Sequence, residues 1–339
     1  MSFLASSIQL FSRPADRRFI VPALALVAVL AAIVAGVAIG PVYIGPGAVW
    51  DAALGHAEGT SRVIVRDIRL PRVLIGAMVG ASLGMSGAIL QGITRNPLAD
   101  PHVVGISAGA GIGAVAGIAF FPRLSFAEIQ IIAFLGGISA GALVYAMAWR
   151  GGVTPTRLAL SGVAVTSMLT AAMLGVLVTK AYAAQIGLRW ITGGLLSGRD
   201  WHDFHLLWPY FAVGTLLALA FSRQINVMAL GDEVATSLGQ RVEVMRVVLT
   251  AIAALLASSA VSIAGLVGFV GLIIPHMARL TVGNDYRFLV PTSALYGAIL
   301  LILADTAART AFDPQELPVG VLTAIIGGPV FVYLVRRRA

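Results

Sequence analysis

The chain has no cysteine, one lysine and few charges of either sign: Asp, Glu, Lys and Arg together make up 11% of its 339 residues. Without cysteine there is no disulfide, no thiolate metal ligand and no cysteine nucleophile, and the redox compartment stays undetermined. The lysine is Lys180, followed by Ala181. A phosphate-cradling loop needs Lys before Ser or Thr, so the chain is not itself an ATPase. Soluble domains carry about 25% charged residues. A chain that is 58% hydrophobic, with a mean hydropathy of +0.93, belongs in lipid. That excludes a soluble enzyme, a nucleic-acid-binding module and a disordered chain. The net charge of +8 comes from Arg spread along the whole length. Arg beside apolar runs marks the cytosolic side of a membrane rather than a nucleic-acid surface.

What the chain does have is long uncharged runs. A helix needs about 20 apolar residues to cross the hydrocarbon layer. Nine stretches reach or approach that length: Phe19–Gly40, Val73–Thr94, Val103–Phe121, Ile129–Ala148, Leu158–Thr179, Leu206–Ser222, Val247–Met277, Phe288–Ala304 and Leu317–Val335. Runs of Ala, Leu, Val, Ile and Gly satisfy their backbone in lipid as helices, so the fold class is all-α. Arg13, Arg17 and Arg18 precede the first run and Arg336, Arg337 and Arg338 follow the last. The positive-inside rule places both termini in the cytosol, which requires an even number of crossings. The Val247–Met277 run would be about 46 Å long as one helix, and it contains Gly265, Gly268, Gly271 and Pro275. Splitting it near Gly265 into a full helix and a half-helix ending around Arg279 gives about ten transmembrane helices. The first run exceeds the roughly 7–15-residue core of a removable signal peptide. The organisation is a cytosolic arm at residues 1–18 and one transmembrane domain at 19–339, with a cytosolic loop at 223–246.

Gly76, Gly80 and Gly84 recur every fourth residue in one helix, and Gly105, Gly109, Gly113 and Gly117 in the next. Such strips let helix backbones approach closely in a membrane; tight packing within one bundle is favoured over a conduit or a subunit interface. Residues 41–72 form the longest outward loop. An interfacial helix is expected at Leu188–Ser197, anchored by Trp190 and Trp201. In the inward loop, Gly231 and Gly239 bracket a stretch with Asp232 and Glu233 at its start and Val234 and Leu238 at helical spacing. This predicts a small amphipathic helix, either a docking knob or a connector. Asp305 sits four residues before Arg309, the spacing of an intrahelical ion pair. His202 and His205 read as part of a solvated loop rather than a metal or haem site. No energy-coupling chemistry is visible within the helices.

Several segments together resemble one family, the membrane permease subunits of ABC importers for iron-siderophore complexes, haem and cobalamin. They are Arg69-Leu70-Pro71-Arg72, Gln91, Asn96-Pro97-Leu98-Ala99-Asp100-Pro101, Gly105-Ile106-Ser107-Ala108-Gly109-Ala110-Gly111, Leu160-Ser161-Gly162-Val163-Ala164, Trp190-Ile191-Thr192-Gly193-Gly194, the Leu230–Gly239 loop, Gly268-Phe269-Val270-Gly271-Leu272-Ile273-Ile274-Pro275-His276, and Glu316-Leu317-Pro318-Val319-Gly320. They occur in family order and cover nearly everything from Arg69 onward.

The resemblance implies a type II importer with ten helices per permease chain. Two permease chains pair, a homodimer being favoured over a heterodimer. Two cytosolic ABC ATPase subunits bind ATP and Mg, so this chain needs no cofactor of its own. A periplasmic or extracellular substrate-binding protein delivers the cargo at the cell (inner) membrane. Gly231, Asp232, Glu233, Leu238 and Gly239 match the helix that seats on the ATPase. Arg69, Arg72 and Arg309 match positions that receive acidic residues of the binding protein. Asn96 and Leu98 match the cytoplasmic gate, and Thr156 lies where a second gate residue is expected, although Pro155-Thr156 does not reproduce the polar pair of the cobalamin importer. Thr166 and Thr170 form a polar strip on a path-lining helix, the alternative being hydrogen bonds to that helix's own carbonyls. A ferric siderophore is the expected cargo, then haem or cobalamin; the reading from another class is an energy-independent channel or secondary carrier.

Overall fold

The computed structural model describes residues 14–40, 42, 44–45, 47, 49, 51, 59–102, 104–150, 152–194, 196–311 and 315–336. Most of the expected arm, His56, Arg337 and Arg338 lie outside them. The described residues form helices joined by turns, with no strand. The helices are α1 Pro14–Ala38, α2 Thr60–Thr94, α3 Ile106–Phe120, α4 Phe126–Ala148, α5 Pro155–Thr179, α6 Ala181–Ile191, α7 Trp201–Ala220, α8 Ser222–Ala229, α9 Asp232–Ser237, α10 Val242–Ala264, α11 Val270–Val282, α12 Tyr286–Thr310 and α13 Val319–Arg336. Seven are long and apolar enough to cross a membrane (α1, α2, α4, α5, α7, α10 and α12), and α3, α11 and α13 are shorter apolar helices. Together they number ten among the described residues, an even number as two cytosolic termini require.

Helix ends follow local chemistry. Ser125 and Glu128 form a reciprocal capping box at the start of α4, and Asp200 and Asp203 form one at the start of α7. Thr154 caps α5, with Pro155 in the first turn, where its missing N–H costs nothing. The long apolar run does break at Gly265, whose φ of +78° suits glycine, and the chain resumes as α11 after an irregular stretch. Non-helical backbone at membrane depth is tolerated where protein surrounds and satisfies it. Here the N–H of Leu266 donates to the carbonyl of Trp190 at 2.9 Å. The half-helix runs past Arg279 to Val282.

Several expectations need correction. The helix expected at Leu188–Ser197 is instead Ala181–Ile191, because Gly193 (φ +70°) ends it. Trp190 is buried against the α10–α11 break instead of anchoring at an interface. Trp201 opens α7 and donates its indole N–H to the carbonyl of Arg66 at 2.9 Å. The outward loop is shorter than 41–72, since α2 begins at Thr60 and contains a π-helical stretch, Val63–Arg69. The segment 223–246 is largely helical (α8, α9 and the start of α10), and His202 and His205 lie exposed on α7 rather than in a loop.

α2 is the axis of the fold. It packs against α12, α10, α11 and α7, whereas α3, α4 and α5 form a neighbouring layer. The glycine strips explain the closest approaches. Gly80 lies directly on the carbonyl of Gly297 in α12, and Gly109 on that of Gly136 in α4, leaving no room for a methyl group. Gly76 has open space around it. α1, α5 and α7 leave most of their apolar surface uncovered.

Candidate functional sites at the two ends of the bundle

At the end where α1 finishes, three arginines converge. The last carbonyls of a helix lack intrahelical partners and favour cations. Arg69 supplies one, donating from Nη1 to Val37 and Ala38 (3.1 and 3.0 Å) and from Nη2 to Val42 (2.6 Å). Arg309, reaching from α12, donates to the carbonyl of Gly36 and to Thr306. Arg72 grips Asp305 with two parallel bonds of 2.9 Å, from Nε and Nη2, and its Nη1 meets both oxygens of Glu316 at 3.0 and 3.1 Å. The three arginines are only 4%, 7% and 3% exposed (Arg69, Arg72 and Arg309). Their guanidinium groups are turned inward and clamp α1, α2, α12 and the segment before α13. The expected Asp305–Arg309 pair is replaced by Asp305–Arg72, because both Asp305 oxygens face α2 across the helix contact. The Glu316 side chain is 35% exposed. It lines a cavity of about 480 Å³ together with Arg72, Arg189, Asp305, Gln315 and Ser197.

The opposite end carries α9. Gly231 (φ +111°) and Gly239 (φ +81°) bracket it as the spacing predicts. Leu230, just before the Gly231 break, and Val234 and Leu238, four residues apart, are 62%, 44% and 62% exposed, so the α9 end carries three uncovered apolar side chains. Glu233 is also exposed. Asp232 behaves differently: its Oδ1 accepts from Arg246 of α10 at 2.8 Å and lies 3.7 Å from Nη2 of Arg95 at the end of α2. By the positive-inside rule Arg95 and Arg246 read from sequence only as inside positive charges. Their partnership with Asp232 carries no sequence signal, since 137 and 14 positions separate them from it.

The expected gate residues lie at this same α9 end, beside Arg95 and Val153, and the expected path residues lie further along α5. Asn96 Oδ1 accepts from the Leu98 N–H at 3.0 Å, so the side chain closes its own turn, while Leu98 is exposed. Thr156 is exposed in the first turn of α5. Thr166 and Thr170 are part-buried on the same helix, and Thr166 donates to the carbonyl of His102 at 3.3 Å instead of bonding within α5. Gln91 ties α2 to α11 through the carbonyls of Gly271 and Leu272 (3.3 and 3.1 Å). Burial pushes the Asp100 carboxyl above its ordinary range, against a 2.7 Å bond from the His102 N–H that favours the charged form. Asp285, the α12 cap, is held well below the usual carboxylate range by Arg287 and Asn226.

Ten apolar helices around a buried axis, irregular backbone at the α10–α11 break and charged clamps at both ends define a polytopic helical membrane protein. The model of the FecCD transport family matches residues 26–337. The Fe(3+)-citrate import system permease protein YfmD of Bacillus subtilis is 42% identical over 289 residues, covering 85% of this chain and 84% of the relative. The cobalamin import system permease protein BtuC of Halobacterium salinarum is 47% identical over 281 residues, covering 82% and 75%. An inward-facing structure of a metal-chelate type ABC transporter superposes with a TM-score of 0.83 at 27% identity, covering 93% of this chain and 98% of that one. The chain belongs to the FecCD transport family.

Proposed function

We propose that this permease is the translocation subunit of an ATP-driven importer that takes up a ferric siderophore or related iron chelate across the cell (inner) membrane. It would act as a homodimer with two ATPase subunits, which hold ATP and Mg, and with a substrate-binding protein on the other side. The observation that carries the reading is α9: a short helix at one end of the bundle with exposed Val234, exposed Leu230 and Leu238 flanking it, and a tie from within to Arg246. Uncovered apolar side chains of this kind suit a groove in a partner. Iron-chelate cargo is supported by the Fe(3+)-citrate relative. Cobalamin is the second reading, supported by the 47% identical cobalamin permease. At the arginine end, the Arg72 guanidinium is already engaged by Asp305 and Glu316, so it would meet an acidic side chain of the binding protein only in exchange for the accessible Glu316. Arg69 and Arg309 support docking by holding the α1 end in place.

The test is expression of the chain with its ATPase and binding protein, purification, and uptake into liposomes of radiolabelled ferric citrate and of cobalamin. Co-purification of the ATPase with vanadate-sensitive uptake of the iron chelate is the expected result. Uptake that needs no ATP would establish a channel or secondary carrier instead.

A further inference from the structure

A six-residue helix cannot hold itself together in isolation, so its position depends on ties to its surroundings. α9 has few. Ala235 is its only buried side chain, and Asp232 makes its only ion pairs among the described residues. Those ion pairs lead to two places at once. Arg246, 1% exposed, receives Asp232 on Nη2 and uses Nη1 to reach the carbonyl of Val153 and Glu243 Oε1 (3.3 Å to the latter). Glu243 in turn accepts the Val153 N–H at 3.3 Å, so the turn that starts α5, three residues before Thr156, is held on both of its polar groups. Arg95 occupies the left-handed region (φ +52°) at the end of α2, immediately before Asn96. Glycine at 231 leaves room for it, since a methyl group there would come within 3.0 Å of its Nη1.

We propose that Asp232 is a positioning residue rather than a contact for the ATPase: its carboxylate carries displacement of α9 to the Arg95–Asn96 turn and to the Val153–Thr156 turn together. This rests on the importer reading above and deepens it. Asp232 is the one group that touches cations leading to both turns, and Leu230, Val234 and Leu238 remain free for the partner. The Arg246 pair, anchored by a buried guanidinium with further fixed partners, transmits position better than the Arg95 pair, whose side chains are 42% and 39% exposed at 3.7 Å, so the Val153–Thr156 turn is the more tightly tied of the two.

The experiment compares Asp232→Asn with Asp232→Glu, and Arg246→Gln with Arg246→Lys, in the complete importer in lipid nanodiscs and liposomes. Hydrogen exchange is read at 94–98, 153–156 and 230–238 with and without ATP and vanadate. Ferric citrate moved per ATP hydrolysed is read in parallel, with cobalamin used if citrate is not carried. In the unsubstituted importer all three segments should change exchange on nucleotide trapping. In D232N the response should persist at 230–238 and disappear at both turns, with cargo per ATP down about ten-fold, inside the 5–150-fold span of typical couplings between sites. D232E and R246K should recover most of both readouts. D232N that keeps the response at the turns, or D232E that fails as D232N does, overturns the proposal while leaving the importer reading intact. An unsubstituted chain that binds no ATPase overturns both.

Discussion

Arg72 shows how two carboxylates on one guanidinium can matter very differently. Asp305 is buried and takes the bidentate grip, whereas the Glu316 side chain is 35% exposed on an irregular segment. Breaking a buried pair by removing one partner strands a charge and typically costs about 3–5 kcal/mol, while an exposed pair is worth about 0–1 kcal/mol. Asp305→Asn should therefore lower the thermal midpoint of the detergent-solubilised permease sharply, and Glu316→Gln should shift it little. Thermal scans at one fixed heating rate would check this; equal shifts in the two variants would show that the clamp is not organised around Asp305. The same geometry explains why local spacing misleads here. Asp305 and Arg309 stand four apart, the arrangement of an intrahelical pair, yet Asp305 pairs with Arg72 of α2 and Arg309 donates to Gly36 of α1 and to Thr306 beside it. The rotation of α12 about its own axis is decided by its packing on α2 and α1, and no local sequence pattern reports it.

At the level of elements, packing between glycines sets how close α2 and α12 can come. Gly80 and Gly297 meet backbone to backbone, so an added methyl group has no flexible side chain to push aside. Overpacking of this kind costs about 1–3 kcal/mol, occasionally more. Gly80→Ala should therefore destabilise the folded permease by the upper end of that range. Gly76→Ala, one turn earlier with open space around it, should be neutral or slightly stabilising through higher helix propensity. Fluorescence size-exclusion after graded heating would separate them, and equal behaviour of the two would remove the seam as the explanation. The four-residue glycine period thus reveals that a strip exists but not which of its members are in contact. Helix spans are readable because lipid forces each uncharged run to satisfy its own backbone. The break at Gly265 is readable because the run is too long to be one span. The position of α6 is not. Arg189 and the Trp190-Ile191-Thr192-Gly193-Gly194 stretch suit either side of a helix end, and what decides is Trp190 packing against the α10–α11 break, a contact distant in sequence.

Across the whole molecule, the two ends are built for different tasks. The arginine end is cross-braced: helices far apart in sequence are tied by hydrogen bonds from buried guanidinium groups. The α9 end presents uncovered apolar side chains on a short helix with a single buried side chain. A cross-braced end and an end with an accessible short helix fit the proposed importer, in which the ATPase would act on the α9 side. This arrangement also predicts that association and stability can be separated by mutation at α9. Leu238 is 62% exposed in the lone chain, so Leu238→Glu should leave the thermal midpoint of the permease unchanged. Full burial of a leucine in a partner groove is worth about 1.5–3 kcal/mol, and each 1.4 kcal/mol is about ten-fold in affinity. ATPase binding to permease in nanodiscs should consequently weaken about ten-fold or more in the Glu variant, with Glu233→Gln showing a much smaller change because a solvated charge contributes little at a rim. Titration of labelled ATPase onto the two variants reads this directly. Undiminished affinity in Leu238→Glu would move the ATPase contact away from Leu238, while a lowered midpoint would mean that Leu238 serves the fold of the chain itself.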